Sequence, residues 1–191
     1  MSWRSFGAKA PSSLALVELS SIARGIDTTD RMLKAADVKL VMARTICSGK
    51  YMVMVAGDLP DVEASVAAGL ACAREATIDH FVIPDVHPAV FPAVAGTSVS
   101  IQRGALGVIE AFSVAALVEA IDLVAKAALV EMVGCRLAMA LGGKAYLTFT
   151  GDVEAVRFAM EAGVEVVVKR GLLVNQVVIP DPRPELFHAL S

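Results

Sequence analysis

The second half of this chain repeats the first in the same order, so its fold must be one that can be built twice. "LALVELSSIARG" from Leu14 resembles "ALGVIEAFSVAAL" from Ala105, which aligns Glu18 with Glu110, Ser21 with Ser113 and Ala23 with Ala115. The same spacing carries Asp30 to Asp122, Lys34 to Lys126 and Arg44 to Arg136. After a two-residue insertion, "GKYMVMVAGD" matches "GKAYLTFTGD", pairing Gly49 with Gly143 and Asp58 with Asp152; Gly69 then pairs with Gly163. "FVIPDVHPAVF" matches "VVIPDPRPELF", pairing Pro84 with Pro180 and Phe91 with Phe187. Order is kept throughout, so the duplication is tandem and unpermuted. It divides the chain into an N-terminal extension (1–13), a first domain (14–92), a linker "AVAGTSVSIQRG" (93–104) and a second domain (105–191).

Each copy reads as the same six elements. A strand over Leu14–Leu19 leads into a helix capped at Asp27 or Thr28 and running to about Ala36. A strand over Lys39–Thr45, a Cys-Ser-Gly corner and a strand over Tyr51–Ala56 follow. Pro60 suits an early helix position, and the small residues of "ASVAAGLACA" suit a helix packed close on a sheet. A last strand over Asp79–Ile83 ends at Pro84. Strand-helix-strand-strand-helix-strand is the split βαβ, ferredoxin-like order, an α/β (α+β) fold.

Composition limits where this fold can act. The chain is 56% hydrophobic and 19% charged over 191 residues. Its most apolar region, "AFSVAALVEAIDLVAKAALVEMVG", is cut by Glu119, Asp122, Lys126 and Glu131 before a span of about 20 apolar residues accumulates. These charges recur at helical spacing, the pattern of an amphipathic helix, and no membrane partner is expected. The excess apolar surface points instead to subunit contacts. Net charge is -3 with no basic block, which points away from nucleic acid. The start "MSWRSFGAKAPSS" reads as a polar extension without a secretory leader. Three cysteines in such a chain read as reduced thiols.

The segments "VELSSIARGIDTTDRMLKAADV", "TICSGKYMVMVAGDL" and "VIPDPRPEL" resemble bacterial microcompartment (BMC) shell proteins. Two unpermuted domains and the cysteine corner resemble their tandem-domain trimeric type, found in propanediol-utilisation shells (PduT-like). The resemblance implies a flat homotrimer, a pseudo-hexameric tile among other shell proteins of a cytoplasmic compartment. It implies that Ile46, Cys47, Ser48 and Gly49 alternate with Ala140, Leu141, Gly142 and Gly143 around a central pore. Lys34 and Lys126 match the lysines at the tile edge. PduT-like members are associated with an iron–sulfur cluster at the pore. The chain departs from the family after the Ile-Pro pair, where Asp85 and Asp181 stand in place of a frequent Arg, with His87 and Arg183 two residues on. Tyr51 and the extension have no role in the family pattern.

One chain offers no Cys-x-x-Cys and no ligand cluster around Cys47. Threefold symmetry would turn one axial cysteine into three thiols. Three thiolates can hold three irons of a 4Fe-4S cubane shared by three chains, leaving the fourth iron open. Such a tile would pass electrons across the shell, with a redox protein inside or outside as partner, or serve as a conduit for a cluster, and would not be an enzyme. The alternatives are a cluster-free tile with a metabolite pore and, ranked last, a small enzyme with its site between subunits. Cys72 and Cys135 read as buried small hydrophobes. His80, His87 and His188 read as surface residues, and the methionines as core. Glu18 and Glu110 read as supports for a backbone turn or edge. Gly142-Gly143-Lys144 lacks the upstream glycine spacing and the following Ser/Thr of a phosphate loop, which excludes a nucleotide site there.

Overall fold

A computed structural model of the chain describes residues 11–97 and 104–190. Most of the extension (1–10) and the middle of the linker (98–103) lie outside the described residues, as does the side chain of His188. The chain divides into two compact units between Val86 and His87.

The first unit runs β1 (Ser13–Leu19), α1 (Ile22–Ala35), β2 (Lys39–Ile46), β3 (Lys50–Gly57), α2 (Leu59–Ala73) and β4 (Thr77–Pro84). Its sheet has the order β2-β3-β1-β4, and every neighbouring pair is antiparallel. The second unit repeats this with β5 (Ala105–Ala111), α4 (Val114–Ala127), β6 (Glu131–Leu137), β7 (Ala145–Gly151), α5 (Val153–Lys169) and β8 (Leu173–Ile179). Its sheet order is β6-β7-β5-β8, again antiparallel. This is the expected βαββαβ arrangement, made twice. Register shifts repeat too, at Leu40/Met42 and Met132/Gly134 and at Glu18/Leu19 and Glu110/Ala111.

Strand alternation explains the first core. Ala15, Val17 and Leu19 of β1 and Tyr51, Val53 and Val55 of β3 share one face, which packs on Met32 of α1 and Val62, Val66 and Ala73 of α2. Leu14, Leu16 and Glu18 point to the other face.

Helix α1 starts five residues before the expected cap. Ser21 is its N-cap, its hydroxyl accepting from the Arg24 N–H at 3.3 Å. Ser113 caps α4 in the same way, accepting from the Ala116 N–H at 3.2 Å. Gly25 and the Thr28–Thr29 pair look like breakers, yet all three are buried inside α1. Gly25 is needed there, since the ring of Tyr51 fills the space a Cβ would take. Thr29 satisfies its hydroxyl by donating to the Gly25 carbonyl at 2.8 Å. Tyr51 thus acquires a role the sequence did not suggest: it locks β3 onto α1.

The small residues of α2 bring it close to α1. A Cβ at Gly69 would lie 2.7 Å from Cγ of Met32, and one at the equivalent Gly163 would lie 2.5 Å from Cγ2 of Val124. Ser65 reinforces the same crossing by donating to the Met32 carbonyl at 3.0 Å. Pro60 occupies the first turn of α2 as expected.

Segment 87–92, placed with the first domain on sequence grounds, clusters with the second unit. There α3 (Val90–Val94) buries Val90, Phe91, Ala93 and Val94 and packs on α4 and β6. A short helix α6 (Pro184–Leu190) ends the described chain.

Candidate functional site

The corner that opens the question of function is a hairpin. Ile46 pairs with Lys50, leaving Cys47, Ser48 and Gly49 as its loop. Ser48 (φ 67°) and Gly49 (φ 72°) both take left-handed backbone. Glycine does so at no steric cost, whereas serine is strained there. Ile46 is buried, Cys47 half-buried, and Ser48 and Gly49 exposed. The loop therefore presents its thiol next to two small, solvent-facing residues.

The equivalent corner is longer. Leu137 pairs with Ala145, and the chain between them turns through positive φ at Ala138, Ala140, Gly142 and Gly143. The Lys144 N–H closes it by donating to the Leu141 carbonyl at 3.1 Å. Ala140 and Gly142 are exposed, while Leu141 and Gly143 are half-buried. No cysteine stands in this corner, so the two repeats differ where their chemistry would be.

Beneath each corner lies an ion pair that sequence reasoning missed. The Lys50 ammonium donates to Glu18 Oε1 at 2.9 Å, and Lys144 meets Glu110 Oε1 at 2.6 Å. Each pair ties the first residue after the corner to the end of the neighbouring strand. The Glu18 and Lys50 side chains are 2% and 27% exposed; those of Glu110 and Lys144 are 30% and 39% exposed. The first pair is thus largely desolvated and the second is not. A signal was present in the sequence, since the Gly-Lys step and the Glu, 32 residues apart in the first repeat, both recur in the second, but only the strand order brings them together.

Lys34 and Lys126 occupy matching positions near the ends of α1 and α4. Each pairs one turn back, with Asp30 and Asp122 respectively, at 2.6 Å. Asp122 is buried, and its Oδ1 also accepts from the His87 N–H at 2.8 Å. Asp30 is exposed.

Cys135 is buried as expected. Cys72 is not: it is half-buried, and its thiol donates to Asp27 Oδ2 at 3.4 Å. The carboxylate lies across the groove between α1 and α2, so α2 does not bury its cysteine in the core. His80 is exposed, but His87 is half-buried, with Nδ1 accepting from the Ala89 N–H at 3.2 Å. Met32, Met52, Met54, Met132 and Met160 are core residues, while Met139 is exposed beside the second corner. Among the described residues, no cluster of three or more His, Cys, Asp or Glu within one chain could hold a metal ion.

No described helix is long and apolar enough to cross a membrane. The family described as the BMC domain matches residues 13–86 and 105–182. The microcompartment shell protein PduT of Citrobacter freundii is 37% identical over 178 residues, covering 93% of this chain and 97% of its own. The carboxysome assembly protein CcmO of a Synechococcus strain is 29% identical, covering 93% of this chain and 68% of its own. Among solved structures, a microcompartment protein from Desulfitobacterium hafniense superposes with a TM-score of 0.86 at 45% identity, covering 92% of this chain and 98% of its own. A fused, permuted hexameric shell protein superposes at 0.60 with 20% identity, a likeness of fold alone.

Proposed function

Because this chain belongs to the BMC-domain family of bacterial microcompartment shell proteins, with the domain present twice, we propose that it forms a trimeric, pseudo-hexameric tile whose axis gathers one Cys47 from each of three chains. The observation that supports assembly is an asymmetry between equivalent surfaces. Helix α4 buries Val114 and Val118, whereas their equivalents in α1, Ile22 and Ile26, are exposed. The outer face of the first sheet buries Leu16, Phe81 and Ile83; the second leaves Val108 and Ile179 half-exposed and Val177 46% exposed. What one repeat buries, the other presents. A head-to-tail contact between copies covers both surfaces, and such contacts close into rings. Three two-domain chains then make six domains around one axis.

In that ring the Cys47 corners converge, alternating with the longer Ala140–Gly143 corners. Three soft thiolates suit a 4Fe-4S cluster and leave one iron open. When bound, the group supplies one-electron transfer across the shell. The chain's own residues do the rest. Ser48 and Gly49 keep the loop thin enough for the thiols to approach. The Glu18–Lys50 pair fixes the strand end from which the loop springs. Lys34 and Lys126 lie at the edges where the tile meets other shell proteins, and a redox protein on one side is the electron partner.

Anaerobic purification with iron and sulfide analysis tests the reading. The expected result is one cluster per trimer, with its visible charge-transfer band lost in Cys47→Ala and lost or badly weakened in Cys47→Ser. Cys72→Ala and Cys135→Ala keep the band. Iron content unchanged in Cys47→Ala, with the trimer intact, refutes the axial cluster. A trimer that takes up no iron leaves a tile with a metabolite pore, and monomers at micromolar concentration refute both.

A further inference from the structure

A second feature lies away from the corners, in the first unit. A groove of about 540 Å³ opens between α1 and the end of α2, a size suited to a metabolite. It is lined by Arg24, Arg31 and Arg74, by Asp27 and Glu75, and by the thiol of Cys72. We propose that this groove binds a small phosphate monoester, held by the three guanidinium groups.

Asp27 organises two of them. Its Oδ2 accepts from Arg24 Nη1 at 3.3 Å, and its Oδ1 lies 3.6 Å from Arg31 Nε. A guanidinium carries five N–H donors, so each arginine keeps donors for a ligand. The Cys72 thiol bond, then Arg31 and Arg24, hold the Asp27 carboxyl below its ordinary range, which keeps it charged and on the arginines. Three guanidiniums against two carboxylates leave an excess of positive charge. Planar, forked donors converging from two elements match the several acceptor oxygens of a phosphate.

Arg74 contributes a further sign. It follows α2 with φ 50° and ψ −127°, strained for any residue with a side chain, while its N–H donates to the Leu70 carbonyl. Strain of this kind persists where surrounding structure imposes it, and it clusters at functional sites.

The duplication supplies an internal control. The positions equivalent to Arg24, Arg31 and Cys72 are Ala116, Leu123 and Val166. Arg74, the C-cap of α2, corresponds instead to Arg170, the C-cap of α5, which pairs at 2.7 Å with Glu119, the equivalent of Asp27. The second unit thus keeps one guanidinium, matched by one carboxylate, and lacks the other two arginines and the thiol, so the packing of the fold does not require Arg24, Arg31 or Cys72. The groove stands independently of Cys47 and of any cluster.

Calorimetry on the intact protein at low ionic strength tests this, with glycerol 3-phosphate as probe and inorganic phosphate and glycerol as comparisons. Saturable binding of glycerol 3-phosphate is expected, weakening as salt screens the site. Arg31→Ala and Arg74→Ala each weaken it about tenfold or more, the scale of a lost charge-assisted bond. Lys169→Ala, at the corresponding end of α5, changes nothing. Bound ligand also slows alkylation of Cys72 by N-ethylmaleimide, read by peptide mass. No saturable heat, wild-type affinity in Arg74→Ala, or unprotected Cys72 overturns the proposal; inorganic phosphate binding equally well overturns the monoester.

Discussion

Replacing Lys50 with methionine should be far more damaging than making the same change at Lys144. The two lysines hold equivalent positions and each pairs with an equivalent glutamate, so local sequence effects largely cancel. Burial separates them. Lys50→Met strands the Glu18 carboxylate, 2% exposed, without its cation, and Oε2 already has no hydrogen-bond partner among the described residues. Removing one member of a fully buried pair costs about 3–5 kcal/mol. Lys50 itself is 27% exposed, so water recovers part of this, and about 2–3 kcal/mol is the scale expected. Lys144→Met breaks a pair 30% and 39% exposed, on the scale of about 0–1 kcal/mol. Urea unfolding followed by circular dichroism, at one fixed protein concentration, measures the difference. Glu18→Gln added to Lys50→Met should restore part of the loss, since a neutral amide needs no counter-charge. Equal effects at the two lysines, or no recovery in the double variant, would refute the argument from burial.

Other changes test neighbouring links. Gly163→Ala should destabilise by about 1–3 kcal/mol, because its new Cβ meets the short, branched Val124; Gly69→Ala should cost less, because flexible Met32 can move. Urea midpoints of the two variants give the order, and the reverse order sinks it. Lys34→Ala combined with Lys126→Ala should leave the trimer intact but weaken tiling, seen as loss of extended sheets by electron microscopy; sheets that survive show the edges lie elsewhere. Asp27 should titrate below its ordinary range, and Cys72→Ala should move its midpoint upward, followed by carboxyl-carbon NMR. A depressed carboxylate contributes its stabilisation above the ordinary carboxylate range and loses it as pH falls through the lowered value. An unmoved midpoint would remove the thiol from the account.

Much of this protein is local pattern, and local pattern is legible. The duplication, the βαββαβ order, the Pro60 helix start and the corner that carries Cys47 follow from spacing that needs only neighbouring residues. The reading failed where a distant residue decides. Helix α1 was expected to be capped at Asp27 or Thr28, but it is capped at Ser21, and Tyr51, far along the chain, packs where a Cβ at Gly25 would lie. Cys72 looked like a core alanine, and Asp27 on the facing helix makes it a groove thiol. Glu18 and Lys50 are ordinary charges until the order β3-β1 sets one beside the other. The two repeats are near-copies in sequence pattern but not in exposure: α4 is buried where α1 is open, and Phe81 is covered where Val177 faces solvent. Periodicity tells which side of an element is apolar. Whether that side meets protein or water is settled only by what packs on it, because burial belongs to the assembled surface and not to the strand or helix that carries it.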